Sequence, residues 1–265
     1  MASTSVLEPI VLLYRATGDR RYLDFARYIV SAWTEPGGPA ILATLKAKGG
    51  VNRVANGKAY EMLSNLCGLC ELYRATGERR YLDAPLAAWK DIVANRLYIT
   101  GSGSVGELWH EKYDLPNGAG GHICETCVTV TWEQLNLQLL RLTGEVRFAE
   151  QMERTVYNHL LAAQKPTCDD WAYYTPLEGV KPYDAVTTCC HSSGPRGVAL
   201  LPSAIFGVTR EGICVNLYAP VREAVKLSGG AAVELTQTTA YPRDGKVTIV
   251  VAPRARAGVF ALRLR

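Results

Sequence analysis

Apolar residues recur with helical spacing through the first part of the chain. Ala59, Met62, Leu63, Leu66, Cys70 and Tyr73 fall on one stripe, and Val128, Trp132, Leu135, Leu139 and Leu142 on another. The stripes run into Gly77 and Gly144, and glycine suits the left-handed position that ends a helix. Glu78 and Glu145 follow, where the N-terminal dipole of the next helix favours negative charge. The unit repeats. Leu13-Tyr14-Arg15-Ala16-Thr17-Gly18-Asp19-Arg20-Arg21-Tyr22-Leu23 returns nearly unchanged from Leu72 to Leu82, and a weaker copy runs from Leu140 to Phe148. These are helical hairpins, whose apolar faces must stack on one another as an open solenoid or a closed helical toroid. Three hairpins leave a closed ring incomplete.

From about Gly207 the pattern changes to short β-branched and aromatic runs: Ile213 to Tyr218, Ala232 to Thr238, Lys246 to Val251 and Val259 to Leu264. Turn residues such as Ser228-Gly229-Gly230 and Pro242-Arg243-Asp244-Gly245 separate them. The pattern predicts a mainly α chain with a β part: a helical domain over 1–206 and an antiparallel β-sheet or sandwich over 207–265. The last run reaches Arg265 without a following turn, so the sheet is expected to stop partway and expose an edge.

Composition narrows the class. With 265 residues, 48% of them hydrophobic, the chain can bury a sizeable core. Its 29 basic and 25 acidic residues are scattered, with no block that would track phosphates, which points away from nucleic acid. No apolar run reaches the roughly 20 residues of a membrane span, and the first residues lack an export signal. Eight cysteines without such a signal favour reduced thiols or metal ligation, and hence a cytoplasmic address.

The cysteines carry the candidate chemistry. Cys189 and Cys190 are adjacent, so they reach one ion only if the chain turns sharply there. Glu125 and Cys127 stand before the Val128 stripe, at an expected helix N-terminus, where the dipole stabilises a thiolate. Together the four offer one carboxylate and three thiolates, a tetrahedral set that favours Zn²⁺. The alternatives are a strained redox disulfide for the vicinal pair and, for Cys124 and Cys127, a chance pattern or a half zinc ribbon shared with Cys67 and Cys70, which the 53 residues between Cys70 and Cys124 disfavour. Cys67 and Cys70 lie on an apolar stripe and read as core. Glu107, in a glycine-rich loop beside Trp109, is either a general acid with a pKa raised by desolvation or a helix cap. His110, His122 and His191 read as hydrogen-bonded neighbours, and Glu153 by default as a solvated helix charge.

Val105-Gly106-Glu107, Tyr113-Asp114-Leu115-Pro116-Asn117, Glu125-Thr126-Cys127 and Cys189-Cys190 with Arg196, in this order, resemble the glycoside hydrolase family 127 β-L-arabinofuranosidases. The resemblance covers nearly the whole chain. It implies a partial (α/α)6 toroid followed by an antiparallel β-sandwich, Zn²⁺ held by Glu125, Cys127, Cys189 and Cys190, Cys189 as nucleophile and Glu107 as acid/base. It also implies sugar contacts at Glu153 and Tyr173, and a carbohydrate as substrate. Two features depart from the family: His191-Ser192-Ser193 stands where characterised members show Pro-Pro-Asn, and the loop around Gly118 to Gly121 is longer. Family members are longer, so a lone chain is expected to be weakly active or inactive unless a partner copy, in a homo-oligomer, completes the ring. The competing expectations are a non-catalytic, zinc-stabilised carbohydrate-binding or scaffold fragment, and an epimerase. The latter needs a histidine acid/base pair that four histidines do not visibly supply.

Overall fold

The computed structural model describes residues 1–117, 121–183, 188–253 and 259–265. The expected loop lengthening, apart from Gly121, thus lies outside the described residues. Three hairpins lead the chain: α1 (Leu7–Thr17) with α2 (Arg20–Ala32), α4 (Ala59–Thr76) with α5 (Arg80–Asn95), and α6 (Thr126–Thr143) with α7 (Val146–Thr155). A short α3 (Ile41–Lys46) lies between the first two. Beyond α7 a π-helical stretch, Val156–Leu160, leads into α8 (Leu161–Ala163), followed by α9 (Cys189–Leu200) and α10 (Pro202–Ile205).

The repeat has a common physical stop. Gly18, Gly77 and Gly144 sit at φ 72°, 73° and 70°, and each N–H donates to the carbonyl four residues back, on Tyr14, Tyr73 and Leu140. A side chain would be strained at these angles. Helices α1, α4, α6 and α9 pack side by side in that order, while α2, α5 and α7 each pack on their hairpin partners.

Side-by-side packing corrects the one-sided stripes read from periodicity. Helix α4 also buries Asn65, Leu69, Glu71 and Leu72, and α6 also buries Thr129, Glu133, Asn136 and Leu137, because each inner helix has neighbours on several sides. Buried polar groups find partners in this layer: Trp89 Nε1 donates to Asn136 Oδ1 at 2.7 Å, and Arg15 pairs with Glu71. Glu133 does not. It is fully buried, neither carboxylate oxygen has a partner among the described residues, and burial raises its pKa well above the usual carboxylate range.

The strands begin at Phe206 and form two three-stranded sheets. In one, β1 (Phe206–Val208) pairs antiparallel with β2 (Gly212–Val215), and β2 pairs parallel with β6 (Ala261–Leu264). In the other, β3 (Val221–Lys226), β4 (Ala232–Thr239) and β5 (Val247–Pro253) form an antiparallel meander with Val225 opposite Val233. The wholly antiparallel expectation is therefore corrected at β6. That strand follows β5 of the other sheet and is not joined to β2 by a hairpin, so no tight turn fixes its direction. Ile213, Val225, Val233 and Leu235 form one apolar cluster contributed by both sheets.

Leu137 and Met152 of the helices pack with Ala204, Ile205 and Leu217, joining the layer to the strands. No helix among the described residues is long and apolar enough to cross a membrane.

Candidate active site

Helices α6 and α9 bring their N-termini together. Glu125 is the N-cap of α6 and Cys127 lies in its first turn. This end is fixed by Thr126, whose N–H donates to the Tyr173 carbonyl at 2.9 Å and whose hydroxyl donates to the Ala172 carbonyl at 2.7 Å. Cys189 and Cys190 are the first two residues of α9. The sharp turn that adjacent thiols require is the change from extended Thr188, at ψ 174°, into the helix. A capping box stabilises this junction: the Thr188 N–H donates to His191 Nδ1 at 2.9 Å, and the Thr188 side chain accepts from the His191 backbone. His191 Nε2 meets Asp170 at 2.6 Å, so His191 is indeed a neighbour and not a ligand. Close approach of α9 depends on Gly194, where a Cβ would lie 2.1 Å from the Trp171 ring.

One ligand atom from each of Glu125, Cys127, Cys189 and Cys190 lies within 4.8 Å of the others. Cys127 Sγ is 3.5 Å from Cys190 Sγ and 3.1 Å from Ser193 Oγ. Thiolates on one tetrahedral zinc stand about 3.8 Å apart, so this spacing fits a shared ion. Burial and the nearby Glu107 charge push Glu125 up to about 7, and burial with the Cys127 contact pushes Cys189 up to about 11. The Cys190 contact and burial raise Cys127 as well. Four groups that can ligate a cation thus crowd together, and Glu125 Oε2 is buried with no hydrogen-bond partner among the described residues. A divalent cation would supply both the charge and the missing partner. Cys124 takes no part: its left-handed backbone, φ 54°, carries the thiol into a separate apolar cluster with Tyr98 and Ile123. Cys67 and Cys70 are fully buried core residues.

Glu107 faces the same cleft from a tight turn. Val105 and Leu108 exchange backbone hydrogen bonds of 2.9 and 3.0 Å around Gly106 and Glu107, both at positive φ, 53° and 69°. Two positive φ values are those of a type I′ turn, in which Glu107 holds a conformation that favours glycine, asparagine or aspartate. Such strain persists only where the surroundings impose it. Here they do. Ala59 N–H donates to the Glu107 carbonyl at 2.9 Å, Trp109 N–H to Gly57 at 2.8 Å, and Gly106 N–H to His122 at 2.7 Å. The Lys58 ammonium pairs with Glu107 Oε2, and Tyr173 Oη donates to Oε1 at 2.5 Å.

Those contacts overturn the expected rise in the Glu107 pKa. Burial does push the carboxyl upward, but hydrogen bonds from Lys58 and Tyr173 outweigh it and hold the group below its usual value. Glu107 is not the N-cap of a helix either, so the capping alternative is set aside. Sequence reasoning missed Lys58, because nothing in its spacing pairs it with a residue 49 positions later. It also missed Tyr174, which contacts Glu107 at 3.4 Å and stacks on His122.

The cleft between these walls measures about 460 Å³, within the range of small-molecule sites. Glu107, Glu125, Cys127, Tyr173 and Cys189 line it, with Lys58, Tyr60, Glu61, Ser192, Ser193 and Arg196. Buried Cys190 completes the thiol cluster from behind. Glu153 is not brought here. Its carboxylate pairs with Arg265 and accepts from Tyr241 Oη at 2.9 Å, tying α7 to the strand region.

A family model described as β-L-arabinofuranosidase, GH127 catalytic domain, matches residues 3–203. The chain is 26% identical to a non-reducing end β-L-arabinofuranosidase from Bifidobacterium longum subsp. longum over 292 aligned residues, covering 95% of this chain and 44% of the relative. A solved GH127 β-arabinofuranosidase superposes with a TM-score of 0.83 at 26% identity, covering 97% of this chain and 41% of the other. A GH127 β-L-arabinofuranosidase from Geobacillus stearothermophilus T6 gives a TM-score of 0.81 at 23% identity over 97% of this chain and 46% of the other, a likeness of fold. The chain spans less than half the length of these relatives.

Proposed function

This chain belongs to the glycoside hydrolase family 127 β-L-arabinofuranosidases, and on that premise we propose that its cleft is the site of a zinc-dependent retaining glycosidase acting on β-L-arabinofuranosides or related plant-derived sugars. The observation that carries the reading is the convergence on one cleft of a four-ligand cluster and a carboxylate held from both sides. The finer architecture belongs to the same proposal: an (α/α)6 toroid over 1–206, completed by further helices or a partner copy, and a β-sandwich from 207 onward.

Glu125, Cys127, Cys189 and Cys190 would hold the ion, which supplies Lewis acidity that keeps a coordinated thiol deprotonated at neutral pH. Cys127 and Cys190 are buried and Cys189 is exposed, so Cys189 is the thiol open to a sugar. Its Sγ attacks the anomeric carbon as the glycosidic bond breaks, forming a thioglycoside, and Glu107 gives its proton to the leaving oxygen. Glu107 is ionised in the free site; a neutral sugar that expels water from the cleft raises its affinity for the proton. Water then attacks the anomeric carbon, Glu107 takes the water's proton, and the sulfur leaves. Two displacements at one carbon retain its configuration. Tyr173, donating to Glu107 Oε1, orients the carboxylate and faces the sugar.

Hydrolysis of a β-L-arabinofuranoside that is lost on chelation, returns with Zn²⁺ and disappears on alkylation of Cys189 by a haloacetamide-type sugar analogue supports this reading. Stoichiometric zinc without turnover, unaltered by Glu107→Gln, would return the site to a structural role in a carbohydrate-binding fragment.

A further inference from the structure

Glu61 is a carboxylate in the cleft that feels the charge of Lys58 but has no part in the chemistry above. It lies in the first turn of α4, three residues after Lys58, and lines the cleft with Tyr60, Cys189 and Arg196. Its Oε2 is buried and has no hydrogen-bond partner among the described residues. The two cations lining the same cleft make their contacts elsewhere: Lys58 pairs with Glu107, and Arg196 reaches Gln134 Oε1 at 3.5 Å. Other unpartnered carboxylate oxygens have different settings. Glu125 belongs to the thiol cluster, and Glu133 is sealed within the core.

A buried acceptor left unpaired is costly unless a bound molecule completes it. A sugar is suited to do so, because it is neutral and carries hydroxyl donors around its ring. A hydroxyl donating to an ionised carboxylate makes a charge-assisted bond, stronger than a neutral pair. We propose that Glu61 is a sugar-binding residue, accepting from a ring hydroxyl of the glycone and selecting sugars that carry it. The inference rests on the glycosidase reading. Glu153, engaged by Arg265 and Tyr241, does not line this cleft.

The test is Glu61→Met, assayed with p-nitrophenyl β-L-arabinofuranoside and its monodeoxy analogues on the zinc-loaded protein. KM is expected to rise roughly 10- to 100-fold, the range for a hydrogen bond to a charged group. The kcat should change by less than about threefold, since the contact holds the ground state as well as the transition state. One monodeoxy analogue should be hydrolysed equally by both proteins, and the melting temperature of the variant should equal or exceed that of wild type. An unchanged KM, equal losses on every analogue, or a lowered melting temperature would overturn the proposal. If the wild type cleaves no glycoside, the functional reading fails by itself, and Glu61 is judged by NMR titration with L-arabinose. Weaker binding to Glu61→Met then sustains the assignment, and equal or absent binding in both proteins overturns it.

Discussion

The two walls of the cleft are built by different means. One is made of helix ends: α6 and α9 converge, and Glu125, Cys127, Cys189 and Cys190 are set by a cap or a first helical turn. The other is made of irregular chain, where residues 57–59 pair with 107–109 and a strained turn presents Glu107. Helix ends place atoms through local rules of capping and packing. The turn is held by contacts from distant segments, so its geometry is as firm as those contacts.

Breaking the helix-end wall should have the largest effect. Cys189→Ala is expected to lower hydrolysis on the order of 10⁴-fold or more, as for loss of a nucleophile. Cys190→Ser should lower it through metal loss, read as zinc content well below that of wild type. A Cys190→Ser protein with full zinc would show that the cluster is not the binding site.

On the other wall, Glu107→Gln should lower activity about 10²- to 10⁴-fold, the usual range for an acid/base group. It should leave zinc content unchanged. Azide rescue of turnover on an activated aryl glycoside is expected, because the anion attacks the anomeric carbon without the base that water needs; an absence of rescue would remove Glu107 from the role of base.

The support behind that wall gives a smaller, pH-dependent effect. Buried His159 contacts Thr100 at 2.9 Å, in the loop leading to Glu107, and burial lowers its pKa from 6.5 to about 4. The unfolded chain therefore binds a proton that the native state does not, so stability is full above about 6.5 and falls as the pH drops toward 4. The loss is at most roughly 3 kcal/mol. Thermal unfolding across this window should show a shallower pH slope in His159→Gln than in wild type; parallel slopes would remove His159 from the account.

Smallest of all is Cys70→Ala, expected to cost about 1 kcal/mol through a small cavity in α4 and to leave zinc binding and turnover alone. This variant sharpens the contrast between cysteines. Cys70 lies in the body of an inner helix, whereas Cys127 has comparable sequence spacing to its neighbour Cys124 but stands in a first turn. Position along the helix, rather than spacing, separates core thiol from candidate ligand.

Much of this was legible beforehand. The hairpins, their glycine stops and the four-residue cluster follow from periodicity, from glycine's access to positive φ and from donor chemistry, all of which act over short stretches of chain. Lys58, Glu61 and the tethers of Glu107 were not, because each depends on which segments meet across the fold. The expected rise in the Glu107 pKa failed for that reason: burial is suggested by Trp109 next to it in sequence, whereas the opposing charge of Lys58 arrives only in three dimensions. Glu153 was likewise drawn away by Arg265, more than a hundred residues later.

The sequence by itself therefore determined the local elements and the kind of donor atoms available, since helix stops and metal preferences are properties of nearby residues. Only the tertiary structure decided which carboxylates are paired, which are left unpaired in the cleft and which strand runs parallel. Those outcomes depend on charge, burial and hydrogen bonding between residues that the chain keeps far apart.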